Sequence, residues 1–263
     1  MQRQDKLRPR SVTPIRASRI QRRIRWQWFF FVLLASATLA SARSEDGPVA
    51  TASAISSPSI TLDGLLNEPA WRDAPVMKLV QQAPKPGQPT PYETEVRVIV
   101  TSDRIYFGFT CKDPDPHRIA IHTMQRDGDM TGDDTVSIVL DTYGDHRTGY
   151  FFQINAAGAR VDGLISRSES ASLDWDGIWD ARTARTQDGW SAEIVIPSRT
   201  LSFTPGLNDW GLNLERFIPR ERQWLRWSSP TLDSFLYDLS RAGRLTGLGE
   251  LQQGKGIEIT PYE

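Results

Sequence analysis

One cysteine, Cys111, stands in 263 residues. No intramolecular disulfide can form, so the fold must rest on a hydrophobic core, which a chain of this length can build unaided. Cys111 lies on the apolar parity of Ile105-Phe107-Phe109-Cys111 and reads as a small buried hydrophobe. Histidine is scarce too: His117, His122 and His146 are the three, scattered over polar segments. No H-E-x-x-H, no Cys/His zinc spacing and no G-x-S-x-G elbow occurs. No long helical periodicity and no internal repeat is present, and no apolar run reaches the ~20 residues a spanning helix needs. These absences leave little support for an enzyme.

The longest apolar run, Trp26–Leu39, follows a basic stretch and precedes Ala40-Ser41-Ala42. A basic region, a short apolar core and a small-x-small site predict a signal peptide over residues 1–42. The protein is therefore expected to be exported: periplasmic, outer-membrane associated or secreted. Nine of the 31 Lys/Arg and one of the 32 Asp/Glu lie in that segment, so the remainder carries 22 against 31, a net of −9. An acidic chain argues against nucleic acid and is compatible with neutral ligands or cations. Residues 43–57, rich in Ala and Ser, read as a flexible leader, and 58–263 as one domain.

Within that domain the signal is a period of two. Val136, Ile138 and Leu140 alternate with Thr135, Ser137 and Val139, and Tyr150, Phe152 and Ile154 with Phe151, Gln153 and Asn155. The polar Tyr143–Arg147 between them suits a hairpin turn. Further strands are expected at Ser59–Leu62, Val76–Val80, Glu93–Thr101, Arg104–Lys112, Arg160–Ile165, Trp179–Thr186, Trp190–Ile196, Asp209–Phe217, Arg222–Ser228, Leu248–Gln252 and Gly256–Thr260. Asn67-Glu68-Pro69-Ala70-Trp71 predicts a helix start capped by Asn67, with Trp71 plugging one end of the core. Gln81–Pro91, Ser166–Asp176 and 229–245 read as loops. The fold class is an all-β, antiparallel, jelly-roll-like sandwich.

Four ordered elements resemble family nine of the carbohydrate-binding modules: Leu62-Asp63-Gly64…Glu68-Pro69-Ala70-Trp71; Asp133–Val136 with Leu140-Asp141-Thr142; Gly149–Phe152 with Asn155 and Gly158; and Asp188–Ile194 with Ile196-Pro197. The resemblance covers about residues 58–252. The variant it looks most like is the N-terminal periplasmic domain ahead of a predicted outer-membrane β-barrel of unknown function. Trp175-Asp176, Trp179-Asp180 and the Ile259–Tyr262 ending resemble that subgroup. The resemblance implies a sugar-binding sandwich, often an appendage of glycoside hydrolases, with structural calcium. Family members stack sugar between two tryptophans. Those positions fall near Met130–Thr131, which lack an aromatic, and near Leu236, flanked by Phe235 and Tyr237. An acidic ligand position corresponds to Ser137, Asn155 matches, and Gln153 stands where the family can have Arg.

A sugar site needs flat aromatic faces and planar polar groups. Trp175 and Trp179 are four apart in an extended segment, so both point one way; a ligand platform and packing on the sandwich edge are both open. With Asn155, Gln153 and Tyr237 they form the candidate ligand set. Asp113, Asp115, Asp127, Asp129, Asp133 and Asp134 are the candidate calcium ligands, with turn and cap chemistry as the other reading; their spacing matches no EF-hand. Asp133 and Asp134, adjacent on a strand, should face opposite ways and make no acid/base pair. The function expected is non-catalytic binding of an oligo- or polysaccharide in support of polysaccharide catabolism. The alternative is a structural domain docking to an outer-membrane barrel without binding sugar.

Overall fold

The computed structural model describes residues 47–56, 60–167 and 170–254. The expected signal peptide, the first residues of the leader, Ser59, the strand over Gly256–Thr260 and the Ile259–Tyr262 ending lie outside them. Among the described residues the order is β1 (Val49–Thr51), β2 (Ser53–Ala54), α1 (Pro69–Asp73), β3 (Met77–Lys78), β4 (Val80–Ala83), β5 (Thr94–Val100), β6 (Arg104–Lys112), β7 (Thr135–Asp141) and β8 (Thr148–Asn155). Then come β9 (Arg160–Ser166), β10 (Ser170–Ser172), β11 (Asp180–Thr186), β12 (Gly189–Pro197), β13 (Trp210–Ile218), β14 (Gln223–Arg226) and β15 (Gly243–Thr246).

The larger sheet runs β1-β15-β13-β7-β8-β9-β10, with β14 pairing both β13 and β4; the smaller runs β11-β12-β6-β5-β2, with β3 on β5. Pairing is antiparallel except for β1 with β15 and β2 with β5. The two sheets face each other as the sandwich the alternation predicts. Val136, Ile138, Leu140, Phe152 and Ile154 from the larger sheet share one core with Phe107, Phe109, Cys111, Trp190, Ala192 and Ile194 from the smaller. Cys111 is 1% exposed, and burial pushes its thiol up to about 12.

A charged pair, Arg216 and Asp134, is buried against this core. On β13 the inward parity reads Leu212, Leu214, Arg216, Ile218, and Arg216 is fully buried. Its Nε and Nη2 each donate to the Asp134 carboxylate at 3.1 Å, and its Nη1 donates to the Lys112 carbonyl at 2.8 Å and to Thr94 Oγ1 at 3.2 Å. Trp190 Nε1 adds a third bond to Asp134 at 3.2 Å. A buried ion pair holds only when its remaining donors and acceptors are satisfied, and breaking one by removing a partner costs about 3–5 kcal/mol.

Several expectations are corrected. The Ala/Ser-rich leader is not flexible throughout: β1 pairs with β15 and β2 with β5. Gln81–Ala83 belong to β4 rather than to a loop, β10 falls inside the expected loop Ser166–Asp176, and β15 overlaps the end of the loop expected over 229–245. Leu248–Gln252 is not a strand; its backbone closes a turn through Leu251 N–H to the Leu248 carbonyl. These are short elements, where too few residues exist for alternation to show.

Helix α1 starts at Pro69, but Asn67 does not cap it; Glu68 takes that position and spends its Oε1 on the Thr61 N–H at 2.9 Å. Trp71 is buried, yet not at an end of the core. It lies on the outer face of the smaller sheet with Ile99 and Tyr106. Its Nε1 donates to Glu193 Oε1 at 2.8 Å, while Glu193 Oε2 accepts the Asp63 and Gly64 N–H groups at 2.9 and 2.8 Å. Gly108 beneath it is required by space: a Cβ there would lie 2.5 Å from Leu66 Cδ2 and 2.8 Å from the Trp71 ring. This patch of the smaller sheet is thus sealed by its own chain.

Candidate functional site on the larger sheet

The outward parity of the larger sheet is different in character. Val139, Phe151, Val161 and Ile165 form a second apolar cluster with Met130, Leu236 and Leu239 from two covering loops. Asn213 Nδ2 donates to the Leu236 carbonyl at 2.8 Å, which ties the 236–238 segment to β13 and brings Tyr237 over Phe151. Between the two loops the sheet lies open as a groove of ≈500 Å³.

Its aromatic lining comes in two pairs. Phe217 on β13 and Trp224 on β14 sit in register and stack at 4.6 Å with an interplanar angle of 25°. Phe151 and Tyr237 meet edge to face at 5.3 Å. Phe217, Trp224 and Tyr237 are half-buried, so each keeps surface for a ligand. Thr131, Thr135 and Ser170 add hydroxyls to the lining.

The planar polar groups are Gln153 and Glu215. Gln153 Nε2 donates to Ser137 Oγ at 3.0 Å, which leaves its carbonyl oxygen without a protein partner among the described residues. Glu215 is 8% exposed. Arg226 donates through Nε to its Oε2 at 2.7 Å and its Nη2 sits 2.7 Å from the same oxygen. Among the described residues Oε1 carries no hydrogen bond, and Glu215 lines the groove. Burial pushes the Glu215 carboxyl up and Arg226 opposes that shift. Burial and the nearby Glu215 also raise the Tyr237 phenol, which keeps its proton and can donate. At the rim, Thr131 donates through N–H at 2.9 Å and through Oγ1 at 2.5 Å to Asp129, holding that carboxyl below its ordinary value.

The expected ligand set is divided by the structure. Gln153 and Tyr237 line the groove, as do Met130 and Thr131. Asn155 does not: it is fully buried and donates to Asp133 Oδ2 at 2.7 Å and to the Thr123 carbonyl at 2.8 Å. Trp175 and Trp179 do point one way, but inward. The Trp175 ring lies 5.2 Å from Tyr150 and 6.0 Å from Phe152, and Trp179 lies 5.3 Å from Phe152. Asp162 accepts the Gly177 N–H and so holds this segment down on β9. Neither tryptophan lines the groove. Glu215, Phe217 and Trp224 were not expected. Their signal is the outward parity of β13: Glu215 and Phe217 alternate with Leu214, Arg216 and Ile218, but only the position of the core shows which set faces out.

The six candidate calcium ligands do not converge. Asp134 binds Arg216, and Asp113 binds Arg220 at 2.5 Å. Asp133 accepts from His122 N–H at 2.6 Å and from Asn155, Asp129 closes a turn with Thr131, and the Asp115 N–H donates to Asp113. Asp127 alone joins a convergent group, with Asp162 and Asp176, whose oxygens lie within 4.8 Å of one another. That group encloses Arg126, which donates at 2.7 Å to Asp162 and 2.9 Å to Asp176 and sits 3.4 Å from Asp127. The positive charge the acids call for is already supplied by a side chain, so the residues present do not fit a calcium ion.

No protein-family model matches the chain, and no curated protein matches it. Solved structures do. A Bacteroides uniformis protein provisionally described as carbohydrate-binding superimposes with a TM-score of 0.61 at 15% identity, over 79% of this chain and 100% of its own. A family 9 carbohydrate-binding module from Caldicellulosiruptor kristjanssonii in complex with cellotriose gives 0.54 at 14% identity, over 82% and 99%. Its complex with glucose gives 0.55 at 15%, over 81% and 100%. The fold is that of a family 9 carbohydrate-binding module.

Proposed function

We propose that this chain is an exported, non-catalytic saccharide-binding module that works through the groove on the larger sheet, in support of polysaccharide use in the cell envelope or outside the cell. One observation carries the reading. The aromatic pairs Phe217/Trp224 and Phe151/Tyr237 flank two planar acceptors, Gln153 and Glu215, in one open groove. Rings suit the C–H faces of a pyranose and planar groups its hydroxyls. The likeness to sugar-bound modules of the same fold supports it. Among the described residues no pair of free carboxylates faces across the groove as glycoside hydrolysis needs, because Glu215 is tied to Arg226.

A glycan array probed with the purified protein and with Trp224→Ala tests this. Binding to defined glycans should weaken about tenfold or more in the variant, as for an aromatic anchor at an interface centre. A folded protein that binds no glycan, or binding indifferent to Trp224, would overturn the proposal; the former outcome would favour a structural domain docking to an outer-membrane barrel.

A further inference from the structure

We infer that the groove prefers a saccharide carrying an ammonium group, the chemistry of a 2-amino-2-deoxy sugar unit, over neutral and acidic ones. The inference rests on the saccharide-binding reading and narrows it. Among the described residues no Lys, Arg or His lines the groove, whereas Glu215 and Asp129 both do. The one guanidinium at hand, Arg226, is bound to Glu215 Oε2 and to Ser234 Oγ at 3.2 Å. Glu215 Oε1 is left over as an acceptor on the groove side of a largely buried carboxylate. An accessible carboxylate oxygen of fixed orientation is an acceptor that a ligand N–H or O–H can engage.

Charge decides which ligand meets it best. The Glu215–Arg226 pair is neutral as a unit, and Asp129, held ionised by Thr131, leaves the groove with a net negative charge. The ring faces of Phe217, Trp224 and Tyr237 add the negative side of their quadrupoles, which attracts a cation and repels an anion. An ammonium therefore gains from every charged and aromatic group in the lining. A hydroxyl gains only the hydrogen bond, and a carboxylate or sulfate meets like charge with no base to pair it.

Isothermal titration calorimetry on the full chain decides this, with glucosamine oligosaccharides, their N-acetylated counterparts, cello-oligosaccharides and oligouronates of one length. The glucosamine series should bind about tenfold tighter than its N-acetylated counterpart, the scale of one charge pair near a protein surface. That margin should shrink as salt is raised and vanish as pH rises through the ligand's own amine pKa. Asp129→Asn should cut the margin between the amine and N-acetylated series, and Glu215→Gln should weaken all ligands. Equal affinity for amine and N-acetyl forms, or tighter binding of the uronates, would overturn the ammonium preference yet keep saccharide binding. No binding by any series would overturn both.

Discussion

Arg126 shows how one side chain can replace an ion. Three carboxylates, from Asp127, Asp162 and Asp176, close around it, and one of them, Asp162, is buried. Removing the guanidinium leaves like charges facing each other. Arg126→Ala should lower Tm by a few degrees, and added calcium should recover part of that loss while leaving the parent protein's Tm unchanged; a thermal melt with and without calcium reads both. A calcium-dependent Tm in the parent would show that the acids hold a metal in preference to Arg126. Cys111 makes a second case at this scale. Its ordinary value of 9.0 is raised to about 12 by burial among Phe109, Trp190 and their neighbours. A raised folded pKa leaves stability intact below pH 9, and stability falls as pH climbs from 9 toward 12 because the unfolded thiol ionises first. The thiol should resist a disulfide reagent in the native protein at pH 8 and react fully in denaturant; native-state labelling would contradict the burial.

Elements were legible in proportion to their length. β6, β7, β8 and β12 announce themselves because seven to nine residues of alternation mark both the strand and its inward face. The short strands β1, β2, β10 and β15 carry two to four residues each and no such mark. Their existence follows from tertiary pairing, not from local preference. β1 and β2 matter more than their length suggests, since they close one edge of each sheet. Beyond β1, the Ala52 N–H donates to the Thr246 carbonyl at 2.9 Å, at a buried position. Ala52→Pro deletes that donor and should cost about 1–3 kcal/mol, the penalty of an unsatisfied buried group. Urea denaturation checks it: an unchanged midpoint would mean that residues 47–56 are dispensable to the domain.

At the scale of the molecule the two faces of the larger sheet divide the work, and this division is what the sequence alone could not show. Periodicity separates the two parities of a strand but does not say which one is wet. On β7 and β8 apolar content decides the matter. In Asp174–Asp180 it misleads, because acids flank tryptophans that nevertheless turn into the core, held by Asp162. On β13 a buried arginine occupies the inward parity while a carboxylate and a phenylalanine occupy the outward one. The parity of Phe217 and Glu215 becomes readable only once Arg216 is seen to meet Asp134 beside it and the Lys112 carbonyl across the sandwich. Tryptophans on opposite faces should therefore behave oppositely. Trp179→Ala removes a ring packed against Phe152 between the sheets, and should lower stability by about 3–5 kcal/mol with little change in ligand affinity for the fraction that remains folded. Trp224→Ala removes a half-buried ring from the groove and should do the reverse: a melt close to that of the parent and a loss of binding. Calorimetric affinity beside Tm for the two variants tests the assignment of faces. A Trp179→Ala protein that keeps its Tm and loses its ligand would return the site to the Asp174–Asp180 segment.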